Sequence, residues 1–280
     1  MENTTFSTLA PALNVELYTQ WYELRKNAST MSTNQNLWFA DFVPELANHR
    51  FSLGKTDFSV LSIGTGEGDN DLLWANKLAQ HFSSVYYHAV EPNALHVQLL
   101  QERIQKRPFS NVSFSINPVR FETFTTKEKF DLIHFVHCIH LLEDPIASVR
   151  HAQTMLDSSG HILVIQQSEE GVPRLHQQFL PSLIGQVERS LSAQQLCERL
   201  QNASVPHTVE WLDARLNVTE CIQQTETGLS LLSFMMSCDL RGLPGHKLNP
   251  LFKELENMAT VGTDGLFWLH EPVGLIKIMA

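Results

Sequence analysis

Phe58-Ser-Val-Leu-Ser-Ile-Gly-Thr-Gly-Glu-Gly68 is the stretch whose reading decides the fold. Phe58 to Ile63 is a short, uncharged, largely apolar run of the kind that fills a strand buried on both faces. Gly64 and Gly66 then let the chain turn sharply and let a ligand approach the backbone with no Cβ in the way. The helix expected after them offers unpaired N–H groups at its first turn. The glycines are spaced G-x-G-x-G. A dinucleotide-binding turn would read G-x-G-x-x-G and cradle a pyrophosphate.

Working outward, strand-length and helix-length segments alternate. Asp71 to Phe82 reads as a helix with Leu72, Leu73, Ala75, Leu78 and Phe82 on one face. Val85 to Val90 is a second strand, Ala94 to Lys106 a second helix, Val112 to Ile116 a third strand and Phe130 to Val136 a fourth. Pro145 to Leu156 is a helix with proline in its first turn, where the missing N–H costs nothing. Ser158 to Gly160 reads as a turn and His161 to Gln166 as a fifth strand. This alternation predicts an α/β fold, a doubly wound, Rossmann-like parallel sheet with helices on both faces.

The second strand ends in Val90-Glu91-Pro92. A carboxylate about 20 to 30 residues past the glycine turn can accept hydrogen bonds from both ribose hydroxyls and repels a phosphorylated ribose. The competing reading of Glu91 is an acid at a helix N-terminus, favoured by the dipole. Together with the glycine spacing, it points to a carboxylate-bearing nucleoside, S-adenosyl-L-methionine, bound beyond the carboxyl ends of the strands. Val136-His-Cys-Ile-His140 lies at the end of the fourth strand, where a methyl acceptor would meet the sulfonium.

Four segments organise the chain: a helical N-terminal cap or substrate lid over residues 1–50, a nucleoside-binding core over 51–218, a late helical insertion over 219–262, and a C-terminal strand over 263–280 completing the core sheet. Leu266 to Met279 reads as a strand pair or a single edge strand, and residues 172–202 as two helices. Trp21, Trp38, Phe39 and Phe42 recur at helical spacing, which fits core packing.

Of the 280 residues 43% are hydrophobic and 18% charged, and the net charge is -10. A chain this acidic lacks the basic surface that phosphate backbones require, so no nucleic-acid partner is expected. Met1 to Leu13 carries no basic segment followed by an apolar run, and no window reaches the roughly 20 apolar residues of a membrane span. A cytoplasmic monomer is the expectation. Cys138, Cys197, Cys221 and Cys238 are scattered, with neither metal-site nor disulfide spacing. Among the 13 histidines, His134 reads as a core residue, His88 as structural, and no third ligand at metal-binding spacing accompanies His137 and His140.

The residues resemble the histamine N-methyltransferase family. The likeness rests on Val60-Leu-Ser-Ile-Gly-Thr-Gly-Glu-Gly-Asp-Asn-Asp-Leu72, on Val90-Glu-Pro92, and on Phe130-Asp-Leu-Ile-His134 with Asp144 to Val149. It implies a class I methyltransferase fold, S-adenosyl-L-methionine as methyl donor and a cofactor site at Gly64, Gly66, Glu91, His96 and Val136, His96 standing where the family has glutamine. It also implies a small-molecule acceptor lined by Tyr18, Tyr22 and Phe234. The pocket departs from the family elsewhere. Its amine-binding glutamate falls on Met31, a glutamine on His137, a tyrosine on His140, two tryptophans near Val172 and His176, and an asparagine near Glu271.

A methionine cannot pair an ammonium group, and an unpaired buried charge is costly. The resemblance therefore implies an N-methyltransferase for an imidazole or amine: a histamine-like acceptor with Glu271 supplying the carboxylate, or histidine or a histidine dipeptide. His137 or Glu271 would act as general base. Two other readings stay open: a non-catalytic binding module on the same fold, and a methyltransferase for an oxygen or peptide acceptor. An NAD-linked oxidoreductase is disfavoured by the glycine spacing.

Overall fold

The computed structural model describes residues 9–107, 109–185 and 191–279. The first eight residues of the expected cap, and the link between the two helices expected over 172–202, lie outside the described residues. In chain order the first elements are α1 (Val15–Ala28), α2 (Met31–Ser52), β1 (Asp57–Ile63), α3 (Asp69–Ala79), β2 (Ser84–Val90), α4 (Ala94–Lys106) and β3 (Val112–Asn117). Then come β4 (Phe130–Val136), α5 (Pro145–Met155), β5 (Leu156–Gln167), α6 (Val172–Ile184), α7 (Ala193–Asn202), β6 (His207–Leu212) and β7 (Arg215–Asn217). The last are α8 (Thr219–Ile222), α9 (Glu226–Met235), α10 (Gly245–Met258), β8 (Ala259–Val261), β9 (Phe267–His270) and β10 (Val273–Met279). No helix among the described residues is long and apolar enough to cross a membrane.

The elements form two compact units. The larger comprises Thr33–Gln166, Leu191–Leu212 and Val273–Ala280. Its seven-stranded sheet has the order β3-β2-β1-β4-β5-β10-β6. β1 runs parallel to β2 and β4, with Ser62 opposite Ala89 on one side and His134 on the other. The chain moves outward from β1 to β3, then crosses to start again at β4. That reversal opens a crevice at the carboxyl ends of β1 and β4, where open α/β sheets take their ligands. Phe130 to Phe135 is buried throughout and Val136 only partly, so β4 leaves the core at that end. Leu61, Ile63, Ile133, Phe135, Val164, Leu196 and Ile276 share one apolar core.

Beneath the crevice lies a buried polar cluster. The Tyr87 hydroxyl donates to Asp71 Oδ1 at 2.8 Å and lies 2.9 Å from His134 Nε2. Burial holds the His134 imidazolium down to about 3 and pushes the Asp71 carboxyl up to about 6. The signs oppose. Below pH 6.5 the unfolded chain takes up a proton at His134 that the folded chain refuses, so stability falls on acidification by about 1.4 kcal/mol per pH unit until the folded value is reached. Asp71 acts the other way between its folded value and the ordinary carboxylate range, where the folded form binds the extra proton. The larger shift is that of His134. His134→Gln should therefore unfold at a lower pH than the wild type in an acid titration followed by circular dichroism; an unchanged midpoint would remove His134 as the acid-sensitive group.

The smaller unit comprises Met1–Ser32, Gln167–Ser190 and Asp213–Pro272. A three-stranded antiparallel sheet, β7-β9-β8, packs with α1, α6, α9 and α10 around Leu175, Leu180, Leu232, Met236, Leu251 and Leu269. Asn14 caps α1 by accepting from the Leu17 N–H at 2.8 Å, a satisfied helix start of the usual kind.

Several elements differ from the sequence reading. The helix after the glycine turn begins at Asp69 and ends at Ala79, and Phe82 instead stacks on Phe58 at 4.5 Å. Ser158 to Gly160 is not a turn but part of β5, where the register against β4 shifts. Gly160 is needed there for close approach, since a Cβ would meet the Phe130 carbonyl oxygen at 2.7 Å. Leu266 to Met279 is neither a pair nor an edge. β9 belongs to the small sheet, and β10 lies inside the large one with β6 antiparallel on its far side.

Candidate active site

The turn after β1 is built on left-handed backbone. Gly64 has φ +65° and Gly66 φ +58°, conformations that side chains other than glycine adopt with strain. A Cβ at Gly64 would lie 2.7 Å from the Cys138 Cβ, while one at Gly66 would meet nothing within 4 Å. The first glycine thus lets two segments of protein touch, and the second leaves an open backbone face. Cys138 donates its thiol to the Ile63 carbonyl at 3.0 Å, and burial pushes that thiol far up, so it is packing and not a nucleophile.

Glu91 is buried, and backbone N–H groups hold both of its oxygens. Gly66 donates to Oε2 and Asn93 to Oε1, each at 2.9 Å. One carboxylate therefore ties the glycine turn to the start of α4. Each oxygen has a second lone pair, so a ribose diol can still be accepted. His96, in the first turn of α4, places its Nδ1 3.7 Å from Glu91 Oε1. These features fit a nucleoside: an open glycine face, a fixed carboxylate and an imidazole beside it.

Val136 ends β4, and His137 follows with φ +52°, an unusual conformation for a residue with a side chain. Such strain persists only where surrounding contacts enforce it. Here the His137 N–H donates to the Ile165 carbonyl at 2.8 Å, and its Nε2 lies 2.7 Å from Nε2 of Gln35. Gln35, on α2, is 1% exposed. Facing an amide nitrogen, His137 Nε2 accepts and the ring proton sits on Nδ1. Turning the amide over presents an oxygen instead, and Nδ1 becomes the accepting atom. His140 stands in a short 3-10 turn, its Nδ1 3.4 Å from Gln166 Oε1, and Gln166 is itself held by the Leu191 carbonyl at 2.8 Å.

The smaller unit carries the remaining residues singled out in the sequence. Tyr18 and Phe234 have ring centres 5.2 Å apart, Tyr22 and Phe234 6.1 Å, and Tyr18 and Tyr22 6.4 Å, so the three rings form one cluster between α1 and α9. Met31 opens α2, its N–H bonded to Ser29 Oγ, and its side chain is buried. His176 is held by the Met235 carbonyl at 2.5 Å, which places its proton on Nε2. Glu271 is 2% exposed and its Oε2 accepts from Arg25 at 2.6 Å.

Gln35, Gln166 and Arg25 were not visible as functional candidates in the sequence. Each acts by holding a residue distant in the chain, and neither composition nor spacing marks such a partner.

A family model described as a methyltransferase domain matches residues 32–204. The chain is 26% identical over 254 residues to histamine N-methyltransferase A of Xenopus laevis, covering 84% of this chain and 87% of that one. It is 26% identical over 195 residues to histamine N-methyltransferase of Danio rerio, covering 65% and 67%. It is 22% identical over 197 residues to carnosine N-methyltransferase 2 of Gallus gallus, covering 65% and 61%. Among solved structures, the YcgJ protein of Bacillus subtilis superposes with a TM-score of 0.52 at 16% identity, over 80% of this chain and 93% of that one, a likeness of fold. With the glycine turn, the Glu91 carboxylate and a domain match spanning more than half its length, the chain belongs to the class I S-adenosylmethionine-dependent methyltransferases.

Proposed function

We propose that this methyltransferase acts on a ring nitrogen of a small imidazole acceptor. The observation that carries the reading is His137, a strained residue at the carboxyl end of β4 whose ring is held by a buried glutamine. The histamine and carnosine N-methyltransferases among its relatives support the same chemistry.

Gly64, Gly66, Glu91, His96 and Val136 would hold the methyl donor, which supplies a carbon already activated by a sulfonium. A neutral imidazole nitrogen is nucleophilic enough to need no activation. The protein's task is to orient the acceptor, which can contribute roughly 7 to 11 kcal/mol, and to take up the proton left over on the methylated ring. His137 does this, its ring oriented by the buried Gln35. Glu271 is already bonded to the Arg25 guanidinium at 2.6 Å, so we assign the proton to His137. Within the smaller unit, the clustered rings of Tyr18, Tyr22 and Phe234 offer an aromatic surface suited to a flat ring.

Removing a general base lowers turnover by about 10²- to 10⁴-fold. His137→Ala should show that loss in kcat, measured by S-adenosylhomocysteine release with histamine, histidine and carnosine as acceptors, while S-adenosylhomocysteine binds it as tightly as the wild type. An unchanged kcat would remove His137 as the base. A wild-type enzyme that methylates none of these imidazoles would overturn the acceptor class.

A further inference from the structure

The smaller unit holds a charged pair that the proposed mechanism does not use as acid or base. Arg25, on α1, and Glu271, just after β9, are joined at 2.6 Å with side chains 13% and 2% exposed. Glu271 is pinned by its surroundings. Its N–H donates to the Ala214 carbonyl at 2.8 Å, and Gly171 lies so close that a Cβ there would meet Glu271 Cγ at 2.7 Å. Yet Glu271 Oε1 has no hydrogen-bond partner among the described residues. A buried carboxylate oxygen without a donor is costly and rare, and it marks a place where a donor belongs. Arg25 lies on the same helical face as Tyr18 and Tyr22, at spacings of three and four residues along α1. The pair therefore adjoins the aromatic cluster in sequence and on the helix.

The pair is neutral overall but strongly dipolar. A ligand carrying only an ammonium would meet Glu271 Oε1 with Arg25 beside it, repelling it. A ligand carrying only a carboxylate would meet Arg25 with Glu271 beside it. A ligand with both groups on one carbon presents a donor to Oε1 and an acceptor to the guanidinium, which has five N–H donors and can bind carboxylates side-on. We propose that Arg25 and Glu271 recognise the ammonium and carboxylate of a free α-amino acid, selecting it over an amine-only or carboxylate-only ligand and over a dipeptide with its charges far apart. This inference rests on the imidazole reading above.

The test is calorimetric binding to enzyme saturated with S-adenosylhomocysteine, using L-histidine, histamine, carnosine and imidazole-4-propionate. The wild type should bind histidine at least about ten-fold more tightly than the other three, as a site built around polar partners rejects analogues lacking them. Arg25→Met should weaken histidine by a similar factor and tighten histamine, because Glu271 is then free to pair an ammonium. Glu271→Gln, which keeps the shape, should shift preference toward imidazole-4-propionate and covers the case in which Arg25→Met does not fold. A merely structural pair would weaken all ligands alike in either variant. That result, or equal wild-type affinity for histidine and histamine, overturns the proposal. Selective histidine binding without S-adenosylhomocysteine formation when S-adenosylmethionine is supplied would defeat the methyl-transfer reading and leave this one standing. Turnover of histamine as fast as histidine would do the reverse.

Discussion

Glu91→Ala is expected to weaken S-adenosylmethionine binding by roughly a hundred-fold or more. The expectation has two sources. Hydrogen bonds to charged groups contribute about 1.5 to 3 kcal/mol each, and a ribose diol would lose two of them. The same substitution also strands the N–H groups of Gly66 and Asn93, which in the folded chain donate to the two carboxylate oxygens. The glycine turn would then lose the contact that ties it to α4. Glu91→Gln separates the two sources only in part, because an amide has a single acceptor atom and must turn its NH2 toward one of those donors. It should fall between the wild type and the alanine variant. Calorimetric titration with S-adenosylhomocysteine measures both. An unchanged dissociation constant in Glu91→Ala would mean that the carboxylate serves the fold alone.

Gly64→Ala is expected to damage both stability and cofactor binding. Two costs add at one atom. A non-glycine residue held at φ +65° carries strain of about 1 to 3 kcal/mol. The new Cβ would also lie 2.7 Å from the Cys138 Cβ, and forcing an extra group into a packed site costs about 1 to 3 kcal/mol more. The nearest obstructing atom is the Cβ, with Sγ next at 3.0 Å, so Cys138→Ala should give little relief and Cys138→Gly more. Chemical denaturation of the single and double variants reads this directly. Full rescue by Cys138→Ala would show the sulfur to be the obstacle and the geometry of the turn to be different.

The fold was legible where burial is two-sided. β1 and β4 are largely buried, mostly apolar runs, and the glycines between β1 and α3 announce the crossover. Reading failed where that condition lapses. β6 has Val209 and Trp211 exposed, so no apolar run marks it. β7 and β8 have three residues each, too few to show a period. Gly160 looked like a turn residue, but the close backbone of β4 is what excludes a side chain there. Gly64, Gly66 and Glu91 stand at the ends of successive strands, so the proposed nucleoside site could be read from spacing, whereas His96 and Val136 came from the resemblance. The residues proposed for the acceptor obey no such rule. Arg25 meets Glu271 across 246 positions and Gln35 meets His137 across 102, so their pairing exists only in the folded chain. Resemblance supplied one partner of each pair, and tertiary structure supplied the other.

The most direct test of the account is to follow a ¹³C-labelled methyl group from S-adenosylmethionine into product with an imidazole amino acid as acceptor, and to locate it by NMR. The account predicts one equivalent of label on a ring nitrogen per S-adenosylhomocysteine formed. Label on the α-amino group or on an oxygen, or no labelled product from any imidazole, would contradict it.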